Sequence, residues 1–272
     1  MAEPSLAPLL AGSFGAHHNG MRKLMSIAAM ALTLLTGSAQ AVEVPNLYGG
    51  QAIVTGIFEP ERTRGLRQVL LDVLVKVSAE PRLIDDPRVQ PLLDRAKDLM
   101  ASYEYEDRMK GTPVRDEQGT RDQPHDLRIT FDKAKIDAAL AELGLKPWGN
   151  HRPILIAHIS VEYPDSRFSL MQDHQFGLGQ RGALEAAATR RGMKVILPDA
   201  AAKAPYMGSL QPPEAFPLLG RMRWQPESAS WNTQWTVVAG KQIRIWVIET
   251  PSFDEAFRNG VGEAAAILAG RR

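Results

Sequence analysis

The sequence predicts an α/β protein of the α+β kind: two small mixed units, with helices packed on mixed sheets, after a cleaved signal peptide. Three observations lead there. Apolar residues recur at spacings of three and four across residues 60–79. They alternate or run on over strand lengths such as 154–161. Residues 21–41 carry a basic start, an apolar run and small residues in that order. A chain of 272 residues with 44% hydrophobic content can bury a sizeable core.

Met21, Arg22 and Lys23 form the basic start, Leu24 to Thr36 the apolar run, and Ser38-Ala39-Gln40-Ala41 the small-residue cleavage site. A run of about 13 apolar residues is short for a bilayer, so cleavage is favoured over a permanent anchor. Residues 1–20 have neither a core nor a signal pattern, and translation is expected to start at Met21, with Val42 opening the mature chain. The formal net charge is +1, and removing Glu3, Arg22 and Lys23 leaves thirty basic and thirty acidic residues. That balance gives no support for a nucleic-acid partner, and no later segment is long and apolar enough to be a membrane span. Zero cysteines exclude a disulfide framework, a thiol nucleophile, a thiolate metal site and an N-terminal lipidated cysteine.

The first unit is placed at 42–147. Residues 42–48 and 52–57 look extended. The helix that follows aligns Leu66, Val69, Leu70, Val73, Leu74 and Val77 on one face, with Pro60 suited to its first turn. Its valines lower helix propensity, so packing must hold it. Asp85-Asp86-Pro87 announces a second helix through Val89, Leu92, Leu93, Ala96, Leu99 and Met100. Tyr103-Glu104-Tyr105 alternates as a strand, 110–124 has the turn formers of a loop, and Leu127, Ile129 and Phe131 mark a returning strand. Asp132 caps a short helix that Gly144 stops.

The segment KPWGNHRP, 146–153, is the preferred boundary, and the second unit runs over 153–272 as a mixed α/β arrangement. Ile154 to Val161 reads as a strand buried in mid-sheet. A helix over Ala183 to Arg191 and a short parallel strand over Lys194 to Leu197 follow. Leu219 to Trp224, Trp231 to Val238 and Gln242 to Ile248 are strands, the last two a hairpin. Ser252 with Glu255 is a capping box for a final helix bearing Phe253, Phe257, Val261, Ala264, Ala265 and Leu268.

The pieces VLVKVSAEPRL at 73–83, ASYEYED, HDLRITFD and KPWGNHRPILIAHISVE, in this order, resemble the exported bacterial family catalogued as domain of unknown function 2066. The resemblance is strongest over 42 to about 165 and continues through RRGMKVILPD and the Trp-rich stretch from Arg221 to Val238. Ala79 stands where that family is expected to carry glycine. The resemblance implies an envelope location and an α/β architecture, with no catalytic residues to carry over.

Three groups of residues carry candidate chemistry. Gly177-Leu178-Gly179-Gln180-Arg181-Gly182 fits G-x-G-x-x-G and is followed by Asp199, but the preceding LMQDHQF is polar where a dinucleotide site needs a strand. A loop is the favoured reading, with no cofactor. His158, Ser160 and Glu162 share one face of a strand at spacing two, with Asp165, Asp173 and His174 in the next loop. Histidine with carboxylates can hold a metal, and a hydroxyl beside an imidazole can make a nucleophile. Neither H-E-x-x-H nor G-x-S-x-G occurs in the mature chain, so no metal and no catalytic residue is assigned. Trp224, Trp231, Trp235 and Trp246 cluster in the chain, which suits sugar stacking, an interface anchor or simply core. The ligand-binding candidates are therefore His158, Ser160, Glu162, Trp224 and Trp231. Arg190-Arg191 and Arg271-Arg272 read as solvated ends.

These readings favour a non-catalytic periplasmic interaction or assembly factor of the cell envelope, with an envelope protein as partner. A glycan or small-ligand binding module is the alternative, and a hydrolase built on His158, Ser160 and Glu162 comes after it.

Overall fold

The stripe from Leu66 to Val77 lies on helix α1 (Glu61–Ser78), whose apolar side rests on an antiparallel three-stranded sheet. The computed structural model describes residues 42–111, 122–199, 215–239 and 242–271. The signal-peptide pattern and residues 1–20 lie outside the described residues. The chain enters through β1 (Val42–Glu43) and β2 (Gly49–Thr55). After α1 come two 3-10 turns (Pro81–Ile84 and Pro87–Val89) and the short helices α2 (Gln90–Asp94) and α3 (Ala96–Leu99). Strands β3 (Met100–Asp107) and β4 (Pro124–Phe131) and helix α4 (Lys133–Glu142) complete this part. The sheet order is β2-β4-β3. Gly65 sets the approach of α1: a Cβ there would sit 2.7 Å from Val54 Cγ1 and 3.0 Å from Leu127 Cδ2. Its lack of a side chain lets the helix lie close to β2 and β4.

The single helix expected from Pro87 to Met100 is broken. Pro91 stands in the first turn of α2 and has no N–H for a helix arriving from Pro87, so the chain restarts there.

The second part pairs β5 (His151–Arg152) with β1 and then builds a six-stranded sheet. Its strands are β6 (Ile154–Tyr163), β7 (Ser166–Ser169), β8 (Lys194–Ile196), β9 (Ala215–Gln225), β10 (Ser230–Ala239) and β11 (Gln242–Thr250). The order is β11-β10-β9-β6-β7, and β8 also pairs with β6. β6 is parallel to β8 and β9, and the other pairs are antiparallel. Helices α5 (Leu178–Arg190) and α6 (Phe253–Leu268) pack side by side, and α6 lies on β10 and β11. Ser252 caps α6 through its hydroxyl, which accepts from Glu255 N–H at 3.2 Å. The fold is thus α+β with mixed sheets.

The C-terminal end of α1 joins the two parts. A helix leaves its last four carbonyls without intrahelical donors. Here each finds one from outside the helix. Val75 O accepts from Ala79 N–H at 2.8 Å and Val77 O from Trp148 N–H at 2.7 Å. Lys76 O accepts from Arg152 Nη2 and Ser78 O from Arg271 Nε, both at 2.9 Å. Ala79 turns the chain with a left-handed φ of 55°, a conformation that usually calls for glycine. Arg271 is therefore a helix cap, and Arg191 is only 6% exposed beside Gly262. Both overturn the expectation of solvated ends, because the negative pole of α1 and the flank of α6 take them in. Arg190 does remain at the surface, 3.6 Å from Asp72.

Candidate functional site

Alternation along β6 divides its residues between two surfaces. Leu155, Ala157, Ile159 and Val161 face the helices and are buried. His158, Ser160 and Glu162 share the outer face with Arg221 and Arg223 of β9, to which Ser160 and Glu162 are paired in register. Trp224 and Trp231 fall on the other, helix-covered face. They face each other across β9 and β10, with ring centroids 5.4 Å apart. The five candidates are split between opposite sides of one sheet and make no common pocket.

Glu162 is the centre of the outer group. Its carboxylate accepts from Arg221 Nε at 3.0 Å and Arg221 Nη2 at 3.3 Å, and from Arg223 Nε at 3.3 Å. Arg167 Nη2 of the adjacent β7 lies 2.9 Å away. Donation from Arg221 foremost, then from Arg223, and the charge of Arg167 hold its carboxyl below the usual range. The side chain of Glu162 is 10% exposed, while those of the three arginines are 52–66% exposed. His158 is half-buried, its Nε2 has no hydrogen-bond partner in the protein, and burial pushes its pKa down. An imidazole with an unengaged Nε2 is not acting on Ser160, and Glu162 is fully occupied by guanidinium groups, so the three do not form a nucleophile relay.

The sign of the pH effect follows from these directions. Glu162 binds its proton less readily in the folded than in the unfolded chain, so its contribution is present above about 4.5 and is lost as pH falls through its lower folded value. His158 resists protonation in the fold, and its effect has the same sign starting below about 6.5. Urea unfolding is expected to show stability falling from pH 7 to pH 3. Glu162→Gln should flatten the part below 4.5, and an unchanged acid limb would contradict this account.

The tryptophans are packing residues to different degrees. Trp231 is 3% exposed and lies against Tyr163 and Phe253 with centroids 5.2 and 6.4 Å apart. Trp235 is fully buried, and Trp224 and Trp246 are half-buried against the same core. The glycine motif opens α5 with Gly177 at φ 81°, but β7 ends at Ser169, so no strand runs into the first glycine. Gln180, within the motif, donates from its Nε2 to Tyr163 OH at 3.4 Å. Among the described residues no three histidine, aspartate or glutamate side chains gather as a metal site, and no helix is long and apolar enough to cross a membrane.

The arginines around Glu162 were missed from sequence. Their signal was present: Arg221 and Arg223 are spaced two apart on a strand, as a cross-strand partner of an acidic residue would be.

A family model described as Domain of unknown function (DUF8605) matches residues 41–149. The resemblance to domain of unknown function 2066 is thereby corrected: the matching family is a different one, and its match ends before β6. The quoted segments encode a packed helix, a hairpin and a buried strand, features that many α+β units share, so their order did not discriminate between families. The matched residues contain the whole of the first hydrophobic cluster, Leu47 to Leu143. No curated protein matches the chain. A solved structure described as the crystal structure of an uncharacterized protein aligns over 44% of this chain and 91% of its own at 12% identity, with a TM-score of 0.21.

Proposed function

We propose that this protein is a non-catalytic interaction or assembly factor of the cell envelope, exported to the periplasm through the segment Met21 to Ala41. The observation that carries the interaction role is the row Ile243, Ile245 and Val247 on β11, which is 59–64% exposed on one face of the second sheet. Exposed apolar residues clustered on a regular element mark binding surfaces more often than isolated ones do. The export role rests on the residue pattern at 21–41. Glycan or small-ligand binding on the tryptophans has less support, since Trp231 and Trp235 are packed away. The hydrolase reading lacks an engaged His158 and a free Glu162.

Mass spectrometry of protein from a fractionated source cell is expected to find a mature N-terminus near Val42 in the periplasmic fraction. Retention of residues 1–41 in a cytoplasmic fraction would overturn the location. Affinity capture from envelope extract is expected to return a reproducible partner. Turnover of an envelope substrate by the purified protein, with no partner recovered, would overturn the role.

A further inference from the structure

We infer that the outer face of the six-stranded sheet docks an acidic amphipathic helix of a partner protein; this rests on the interaction role proposed above and names the partner's chemistry. The centre of the sheet is parallel, with β6 between β8 and β9, and parallel strands ordinarily have both faces covered. The inner face is covered by α5 and α6. On the outer face Ile154, Ile156 and Ala215 at the start of the parallel strands are buried, while Leu219, Arg221 and Arg223 further along β9 and Ile243, Ile245 and Val247 of β11 are exposed.

Register fixes what the face presents. One row runs His158, Leu219, Thr236, Ile245, and the next Ser160, Arg221, Gln234, Val247. A third runs Glu162, Arg223, Asn232, Glu249. The β11 side is therefore apolar through Ile243, Ile245 and Val247. The β6–β9 side is cationic, with Arg167, Arg221 and Arg223 sharing the single carboxylate of Glu162. Three guanidinium groups on one carboxylate leave two positive charges and several N–H donors directed outward. A segment that covers this face needs an apolar stripe on one side and carboxylates on the other.

The spacing selects a helix. From the arginines of β9 to the row of β11 is two strand intervals, roughly 10 Å, about the width of a helix with its side chains. From Ile243 to Glu249 is roughly 20 Å along the strand, which about 13 helical residues would cover. A membrane surface fits less well, because the column Asn232, Gln234 and Thr236 lies between the apolar and basic parts and the carboxylate of Glu249 ends the apolar column itself, and these groups would lose water to hydrocarbon. A second copy fits less well too. Stacked on its like, the face would set arginines against arginines or against the isoleucines.

The test is a display library of 18-residue helical peptides with a fixed leucine stripe and flanks randomised among Glu, Gln and Lys, selected against the full chain. Enriched peptides are expected to be acidic on one flank. The best, made synthetically, should bind at least tenfold more weakly to Ile245→Asp and at least fivefold more weakly to Arg221→Glu/Arg223→Glu, while Ile53→Asp on the other sheet leaves it unchanged. Val247→Lys is the second apolar variant, and circular dichroism checks that each folds. Selection without acidic enrichment, or binding indifferent to Ile245→Asp and Val247→Lys, overturns the inference. So does co-sedimentation with phosphatidylglycerol vesicles, or a dimer by light scattering, that is lost in Ile245→Asp. A captured envelope partner that still binds Ile245→Asp sinks this inference alone. Loss of the interaction role would instead appear as substrate turnover with no partner captured.

Discussion

Trp235→Ala is expected to destabilise the protein by about 4 kcal/mol, the largest effect of any single truncation proposed here. Trp235 is the largest fully buried side chain, on the helix-facing side of β10 and 6.0 Å from Phe257 of α6 by ring centroids. Its indole occupies room that two glycines leave open. A Cβ on Gly220, its register partner on β9, would lie 2.6 Å from Trp235 Cζ3, and one on Gly260 of α6 would lie 2.3 Å from Cε2. Truncation removes the ring from a rigid surround of strand and helix, which relaxes only in part. Trp235 Nε1 has no hydrogen-bond partner in the protein, so Trp235→Phe loses no polar contact and should cost clearly less. Gly260→Ala adds helix propensity of about 1 kcal/mol but collides with the ring, for a net loss of about 1–2 kcal/mol. In a Trp235→Ala background the collision is gone, and the same substitution should stabilise. Urea unfolding of the four variants reads this cycle, and additive effects would show that Gly260 and Trp235 are not coupled as described.

The same contact explains how much of the fold was legible in the sequence. Spacing alone places Leu66 to Val77 on one helix face and Trp235 and Val237 on one strand face, and all of these are buried. Spacing also puts His158, Ser160 and Glu162 together on one side of β6. Pairing between strands is a different matter. That Arg223 stands beside Glu162 depends on a register between segments separated by a long connection, and that Gly220 stands beside Trp235 depends on where the turn between Gln225 and Ser230 sets the hairpin register; local period carries no record of either. The buried arginines escaped for a related reason. Arg152 reads as part of a polar linker, yet it is 1% exposed, lies 3.9 Å over the ring of Trp148 and donates to Lys76 O. Only the four carbonyls at the end of α1 and their need for donors make sense of it.

The cations at that end of α1 lead to the second large effect, which appears in alkali. Lys76 is 8% exposed; its ammonium donates to Gly49 O and, at 3.3 Å, to Asn46 O. Burial foremost, with the charge of Arg152 adding and that of Asp72 opposing, pushes its pKa down from 10.5 to about 8. Between those values the unfolded chain holds a proton that the folded chain has released, so stability rises with pH across the window and is lost again as pH falls back to about 8. The size is roughly 3 kcal/mol, from 1.36 kcal/mol per pKa unit. Burial also pushes Arg152 down, to about 10, which leaves it charged at neutral pH. Lys76→Met keeps the volume, removes both the desolvated charge and its two carbonyl contacts, and should be near neutral at pH 7 because these oppose. Its decisive property is a lost slope: urea unfolding from pH 7.5 to 10.5 should show the unmodified chain gaining on Lys76→Met by roughly 3 kcal/mol. Tyr48, whose pKa is raised chiefly by burial, titrates in both proteins and cancels from the difference. Parallel curves for the two proteins would place the Lys76 ammonium in water, and the donor role given to it at Gly49 O would fall with that result.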